Sequence, residues 1–149
     1  MSFFKNILRT LRSVKRSDST FGEMTWFAGR PPRPGYWEGK ASLQAEGIEW
    51  PVEVFLHGDE TGPNERQRTF FKEISGQLHA LRQSVGELAP TRPDMGPLEA
   101  ERLQVRWAAL PPNPQNEAWE LGFDIQGAPK FHLIAHAVGW GVKDLSIED

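Results

Sequence analysis

The stretch from Asn64 to Val85, NERQRTFFKEISGQLHALRQSV, constrains this chain most. Phe71, Ile74, Leu78, Leu81 and Val85 recur at spacings of three and four, the pattern of one helical stripe, and Phe70 widens it. Arg66, Arg68, Lys72, Glu73, Gln77 and Arg82 fall on the opposite side. Pro63 ends the preceding segment, Asn64 is a favourable N-cap, and Gly86 is positioned to stop the helix. Such a helix is roughly 33 Å long at ~1.5 Å per residue, enough to cross a sheet of several strands.

The segments on either side read as strands. Trp37, Gly39, Ala41 and Leu43 alternate with Glu38, Lys40, Ser42 and Gln44. After Ala45-Glu46-Gly47, the residues Ile48, Trp50, Val52, Val54 and Leu56 alternate with Glu49, Glu53 and His57. Matching the apolar faces predicts a hairpin with Trp37 opposite Val54, Gly39 opposite Val52, Ala41 opposite Trp50 and Leu43 opposite Ile48. Pro51 donates no ladder hydrogen bond, which predicts an edge or a bulge there. Phe21 to Ala28 reads as an earlier strand. Beyond a Pro/Gly-rich linker at 87–97, strands are expected at Glu101–Leu110 (Leu103, Val105, Trp107 and Ala109 inward), Trp119–Ile125, Phe131–Val138 (Phe131 inward) and Asp144–Glu148. The expected fold is α+β: a twisted antiparallel sheet of about six to seven strands, with the long helix on one face and a short N-terminal amphipathic helix.

That first helix is read from residues 1–16, where Phe3, Phe4, Ile7, Leu8, Leu11 and Val14 oppose Lys5, Arg9, Arg12, Lys15 and Arg16. Three roles stay open: docking on the domain, contact with an anionic membrane through the basic groups, or organelle targeting. Lys5 and Arg9 break any secretory h-region. Ser17–Thr20 reads as a linker, giving residues 1–20 as helix and linker and 21–149 as a single domain.

Charge and composition bound the function. The net charge of −3 is uneven: residues 1–20 carry +4, so the remainder carries −7. An acidic body argues against nucleic acid and suits a basic protein partner. The chain has no Cys, hence no disulfide, no thiolate metal site and no Cys nucleophile. No apolar run approaches the ~18 residues of a membrane span. A cytoplasmic location is expected.

Three pieces, Trp37-x-Gly39, Asp59-x-x-Gly62-Pro63-x-x-x-Gln67 and Trp119-x-Leu121-x-Phe123-x-Ile125, together resemble small bacterial domains of unknown function that occur as stand-alone cytoplasmic proteins. Some proteins of this general kind sit beside secreted toxins as immunity partners. The resemblance covers roughly residues 36–148. It implies a toxin or effector domain as partner and transfers no catalytic residue.

Chemistry-bearing side chains are few. A five-residue turn that matches apolar faces places Asp124 opposite His132 and Glu120 opposite His136, whereas a turn two residues shorter breaks both pairs, and the sequence does not choose between the two registers. Such pairs serve as cross-strand charge pairs, as an acid–base dyad, or, through Asp124, His132 and His136, as metal ligands. Ser75-Gly76 lies mid-helix and is no nucleophile elbow, and Gly139-x-Gly141 precedes a strand rather than a helix, so no phosphate loop is formed. No catalytic residue and no cofactor are expected. The sequence reading is therefore a non-enzymatic protein-binding domain, in its sharpest form an immunity protein that blocks a toxin. Its expected contacts are Asp59, Glu60, Arg102, Arg106, Glu120, Asp124, His132, His136 and Trp140. A small enzyme or metal-binding domain and a peripheral membrane protein are the alternatives.

Overall fold

The computed structural model describes residues 14–45 and 48–148. In chain order they form β1 (Lys15–Asp18), β2 (Gly22–Phe27), β3 (Tyr36–Ala45), β4 (Ile48–His57), α1 (Glu65–Leu88), β5 (Leu103–Leu110), β6 (Ala118–Ile125), β7 (His132–Val138) and β8 (Gly141–Glu148), with 3-10 turns at Ala89–Thr91 and Ala100–Arg102. The eight strands make one sheet in sequence order.

Every neighbouring pair is antiparallel except β4–β5. The sheet is thus mixed and has eight strands, not the six to seven antiparallel strands expected. Helix length explains the parallel junction. The 24 residues of α1 span ~36 Å, close to the ~33 Å of a ten-residue strand. The helix therefore returns the chain to the end of the sheet where β4 began, and β5 runs alongside β4 in the same direction.

The eighth strand is β1. Lys15–Asp18, expected as a helix end and linker, pairs with β2 instead. Asp18 fixes the turn between them, its Oδ2 accepting from the amides of Thr20 (3.0 Å) and Phe21 (3.1 Å). Its Oδ1 binds Arg68 of α1 at 2.8 Å, so the strand is tied to the helix as well. The rest of the expected N-terminal helix, residues 1–13, lies outside the described residues.

Helix α1 starts as expected. The Asn64 side chain accepts from the Gln67 amide (2.9 Å) and Gln67 Oε1 accepts from the Asn64 amide (3.0 Å), a reciprocal capping box. Gly86 does not stop the helix, which runs on to Leu88. Gly86 makes room instead: a Cβ there would lie 3.2 Å from the Leu98 carbonyl in the segment that crosses the helix. Gln67 is 1% exposed, and its Nε2 donates to the carbonyls of His57 (2.9 Å), Leu110 (3.2 Å) and Pro111 (3.2 Å). One side chain thus joins the end of β4, the start of α1 and the end of β5, which are the three corners of the crossover.

The helical stripe packs on the inner face of the sheet, against Trp37, Leu43, Val54, Leu56, Val105, Trp119, Phe123 and Leu133, all buried. Two registers differ from expectation. In β3–β4 the observed pairs are Trp37↔Leu56, Gly39↔Val54, Ala41↔Val52 and Leu43↔Trp50, two residues from those predicted. The ladder runs as far as Ala45↔Ile48, so β3 extends further than supposed. An even shift leaves every side chain on its predicted face, because strands alternate with period two.

In β5 the change is larger. A β-bulge between Val105 and Trp107 shifts the pairing from Val105↔Phe123 to Trp107↔Gly122. Leu103, Val105, Ala108 and Leu110 face the core, while Trp107 and Ala109, expected inward, turn to the outer face. Gly122 makes this possible, since a Cβ there would lie 2.1 Å from Trp107 Nε1. Phe131, also expected inward, precedes β7 and is 46% exposed. Among the described residues no helix is long and apolar enough to cross a membrane.

Candidate functional site

Helix α1 covers one face of the sheet, and the functional candidates lie on the other. Strand parity sends Phe27, Tyr36 and Phe55 outward, since their neighbours Trp26, Trp37, Val54 and Leu56 are buried in the core. The β5 bulge adds Trp107. These four rings form a row across β2–β5. Phe27 stacks on Tyr36 (centroids 5.4 Å apart), Tyr36 meets Phe55 edge-on (6.2 Å), and Phe55 meets Trp107 edge-on (6.2 Å).

Three of them, Tyr36, Phe55 and Trp107, floor a cleft of about 460 Å³ whose walls include His57, Glu53, Glu120 and Glu148. Tyr36 is on β3 and Glu148 on β8, five strand spacings apart, or ~24 Å on a flat sheet. Their presence around one cleft shows that the twist curls the outer face into a trough. A second hollow of about 410 Å³ over β2–β4 shares Glu53 and adds Glu23, Glu38 and Lys40. The trough is therefore aromatic at its base and acidic along its walls. Among the described residues neither Glu53 nor Glu148 forms an ion pair. Lys40 stands directly opposite Glu53 in the β3–β4 ladder.

Beside the cleft lies the acid–imidazole row. The β6–β7 register pairs Asp124 with His132 and Glu120 with His136, the first of the two registers left open by the sequence. Asp124 is shared: its Oδ1 lies 2.8 Å from His132 Nδ1 and its Oδ2 2.9 Å from Arg106 Nε. His136 reaches the other way, with Nδ1 3.6 Å from Glu120 Oε1 and Nε2 2.9 Å from Ser146 Oγ on β8. Asp124, His132 and His136 do not converge on one point, and among the described residues no three His, Asp or Glu side chains are arranged to hold a metal ion. The line Ser146–His136–Glu120 has the order of a nucleophile, base and orienting acid. The 3.6 Å separation is beyond hydrogen-bond range, so Glu120 does not fix the ring as an orienting acid must.

The other predicted contacts are dispersed. Asp59 follows β4, and its carboxylate accepts from the hydroxyl and amide of Thr61. Those two hydrogen bonds, the hydroxyl first, hold its pKa below the ordinary value. Its backbone carbonyl accepts from Trp37 Nε1 at 2.9 Å, so Asp59 shapes the turn into α1. Glu60 is exposed in that turn. Arg102 donates to the Gln126 carbonyl (2.9 Å) and braces the β6–β7 turn. Trp140 belongs to the opposite face: its ring stacks flat on Phe70 of α1, centroids 4.2 Å apart and 3° from parallel. Of the basic groups assigned to membrane contact, Arg16 donates to the Thr61 carbonyl and lies over the Trp37 ring at 5.9 Å. Lys15 is exposed on β1, and Lys5, Arg9 and Arg12 lie outside the described residues.

Sequence reasoning located the acid–imidazole row and missed the cleft beside it. Part of the signal was present. Phe27, Tyr36 and Phe55 are large apolar residues at outward parity in strands whose inward positions are already apolar. No protein-family model matches this chain, no curated protein matches it, and no solved structure matches its fold.

Proposed function

We propose that this chain is a non-enzymatic protein-binding module that seats a basic partner on the outer face of its sheet. The observation that carries this reading is the trough itself. An uncovered sheet face is ordinarily polar, yet this one presents Phe27, Tyr36, Phe55 and Trp107, half-buried, between carboxylates. Aromatic anchors inside a charged rim are the make-up of an interface centre. The net charge of −3 favours encounter with a basic surface.

In its sharpest form the proposal is an immunity protein of a bacterial cytoplasm, occluding the basic cleft of a toxin or effector domain. The resemblance to small bacterial domains supports that form. Glu53, Glu120 and Glu148 then replace Asp59 and Trp140 as the central contacts, with Arg106, Asp124, His132 and His136 at the rim.

The test is a tagged pull-down of the full chain from its native host with mass spectrometry, followed by affinity measurement on the captured partner. One stoichiometric partner is expected, and Trp107→Ala and Phe55→Ala each weaken it by about 30-fold, the ~2 kcal/mol scale of an interface anchor. No stoichiometric partner, or one whose affinity both substitutions leave intact, defeats the reading.

A further inference from the structure

We infer that the cleft between Tyr36, Phe55 and Trp107 is a receptor for an arginine side chain presented by the partner. The inference rests on the protein-binding reading and names what the partner must bring.

Three features of the cleft point to a planar cation. The first is its wall chemistry. Tyr36, Phe55 and Trp107 offer ring faces and edges in one continuous row, and a guanidinium stacks on such faces through both dispersion and the ring quadrupole. The second is charge. Glu53, Glu120 and Glu148 come from β4, β6 and β8 and stand around the same opening. Among the described residues Glu53 and Glu148 have no ion-pair partner, and Glu120 has only His136, at 3.6 Å. Like charges gathered around one apolar floor repel each other, and a bound cation removes that repulsion. The third is size, because about 460 Å³ falls within the ~300–1,000 Å³ of ordinary ligand pockets.

Arginine fits better than lysine. The carboxylates approach from three strands, and a guanidinium has five N–H donors in a rigid fork that can serve more than one of them while its plane lies on Trp107. An ammonium is a compact, strongly hydrated point charge and leaves the flat walls unused. Of the basic groups nearby, Arg106 is bound to Asp124 at 2.9 Å, Lys40 stands opposite Glu53, and His57 lies edge-on to Tyr36 at 6.3 Å in the cleft wall; among the described residues none of them is ion-paired with Glu148.

The test uses the full-length chain, 15N-labelled, and the indole N–H resonance of Trp107 assigned by Trp107→Phe. The probes are Nα-acetyl-arginine methylamide, the matching lysine derivative and the matching uncharged citrulline derivative. A saturable shift of the Trp107 resonance is expected with the arginine probe, at millimolar concentration for a single residue. The lysine probe should bind several-fold more weakly and the citrulline probe at least tenfold more weakly. Glu53→Gln, Glu120→Gln and Glu148→Gln should each lower arginine affinity by about two- to fivefold, the range of exposed charge pairs, and the triple variant by tenfold or more. Equal binding of arginine and citrulline, or no shift at Trp107, overturns the inference.

The same triple variant separates the inference from the reading beneath it. A captured partner whose affinity is unchanged by the three Glu→Gln substitutions overturns the arginine receptor and leaves protein binding standing. Arginine binding with no stoichiometric partner overturns the partner as its source and makes the cleft a site for a free guanidinium compound.

Discussion

The two faces of this sheet are built from the same strands and serve opposite ends. On the inner face the large side chains pack on one another: Trp119 lies edge-on against Phe70 (5.0 Å), its Nε1 donates to the Gly139 carbonyl (2.7 Å), and Trp140 closes the group. On the outer face comparable aromatic rings are left half-buried and walled by carboxylates with few counterions. The difference teaches where stability resides and where recognition is available. Burial of the inner face drives folding, so the outer face tolerates rings in water and acids beside acids, arrangements that a partner is needed to complete.

A matched pair of tryptophans tests that division with the largest expected effect. Trp119 is 1% exposed, and Trp119→Ala should cost about 3–5 kcal/mol in urea unfolding, as deletion of a buried aromatic does. Trp107 is half-buried on the open side, and Trp107→Ala should cost only about 1 kcal/mol. Equal losses at the two positions would mean that the outer row is a second core and not a binding surface.

Gln67 probes the corner where the helix-covered layer is closed. Gln67→Leu keeps the volume but leaves the carbonyls of His57, Leu110 and Pro111 without their shared donor and removes half of the capping box. A loss of about 2–3 kcal/mol is expected, since unsatisfied buried acceptors carry their desolvation cost. A near-neutral result would show that water or backbone adjustment replaces the side chain there.

The inner face was legible in the sequence for a physical reason. Its signal is periodic: stripes at three and four in α1 and alternation in β3, β4, β6 and β7 survive errors of register, because an even slip keeps side chains on their faces. On the same ground Asp124, His132, Glu120 and His136 could be put on one face, but an even slip breaks their pairing, so the register of β6–β7 came from the structure. What could not be read is whatever breaks a period. One inserted residue at Val105–Trp107 moved Trp107 across the sheet, and with it the cleft. Strand β1 was illegible because KRSD carries no apolar alternation; pairing with β2 and the Asp18–Arg68 bridge hold it in place. The parallel junction followed from the length of α1, a number available in the sequence but not turned into a direction.

Gly122 lets the bulge be tested directly. Gly122→Val places a Cβ into the space held by the Trp107 indole. The ring must leave, and the expected cost is about 1–3 kcal/mol, the range for forcing atoms into a packed site. The indole resonance of Trp107 should shift in the same variant and arginine binding should fail. Retention of both would show that Trp107 does not rest on Gly122 in solution.

The smallest effect concerns β1, a strand that α1 holds by charge. Asp18 is 8% exposed as a side chain. Burial pushes its pKa up, but the hydrogen bond from Arg68, those from the Thr20 and Phe21 amides and the Arg68 charge outweigh it and hold the pKa below the ordinary value. A carboxyl whose folded pKa is depressed adds stability above its unfolded pKa of ~3.9 and loses that stability as pH falls through the lower folded value. Asp18→Asn should therefore cost about 1 kcal/mol at pH 7. The gap between wild type and variant should narrow as pH falls below the unfolded pKa of ~3.9, where the unfolded chain takes up a proton that the folded Asp18 accepts only at lower pH. Urea midpoints measured from pH 7 down to pH 2.5 would trace this. A gap that stays constant through that window would mean that β1 is held by its ladder and turn alone, and that the Arg68 bridge is no more than a contact between a strand and a helix already in place.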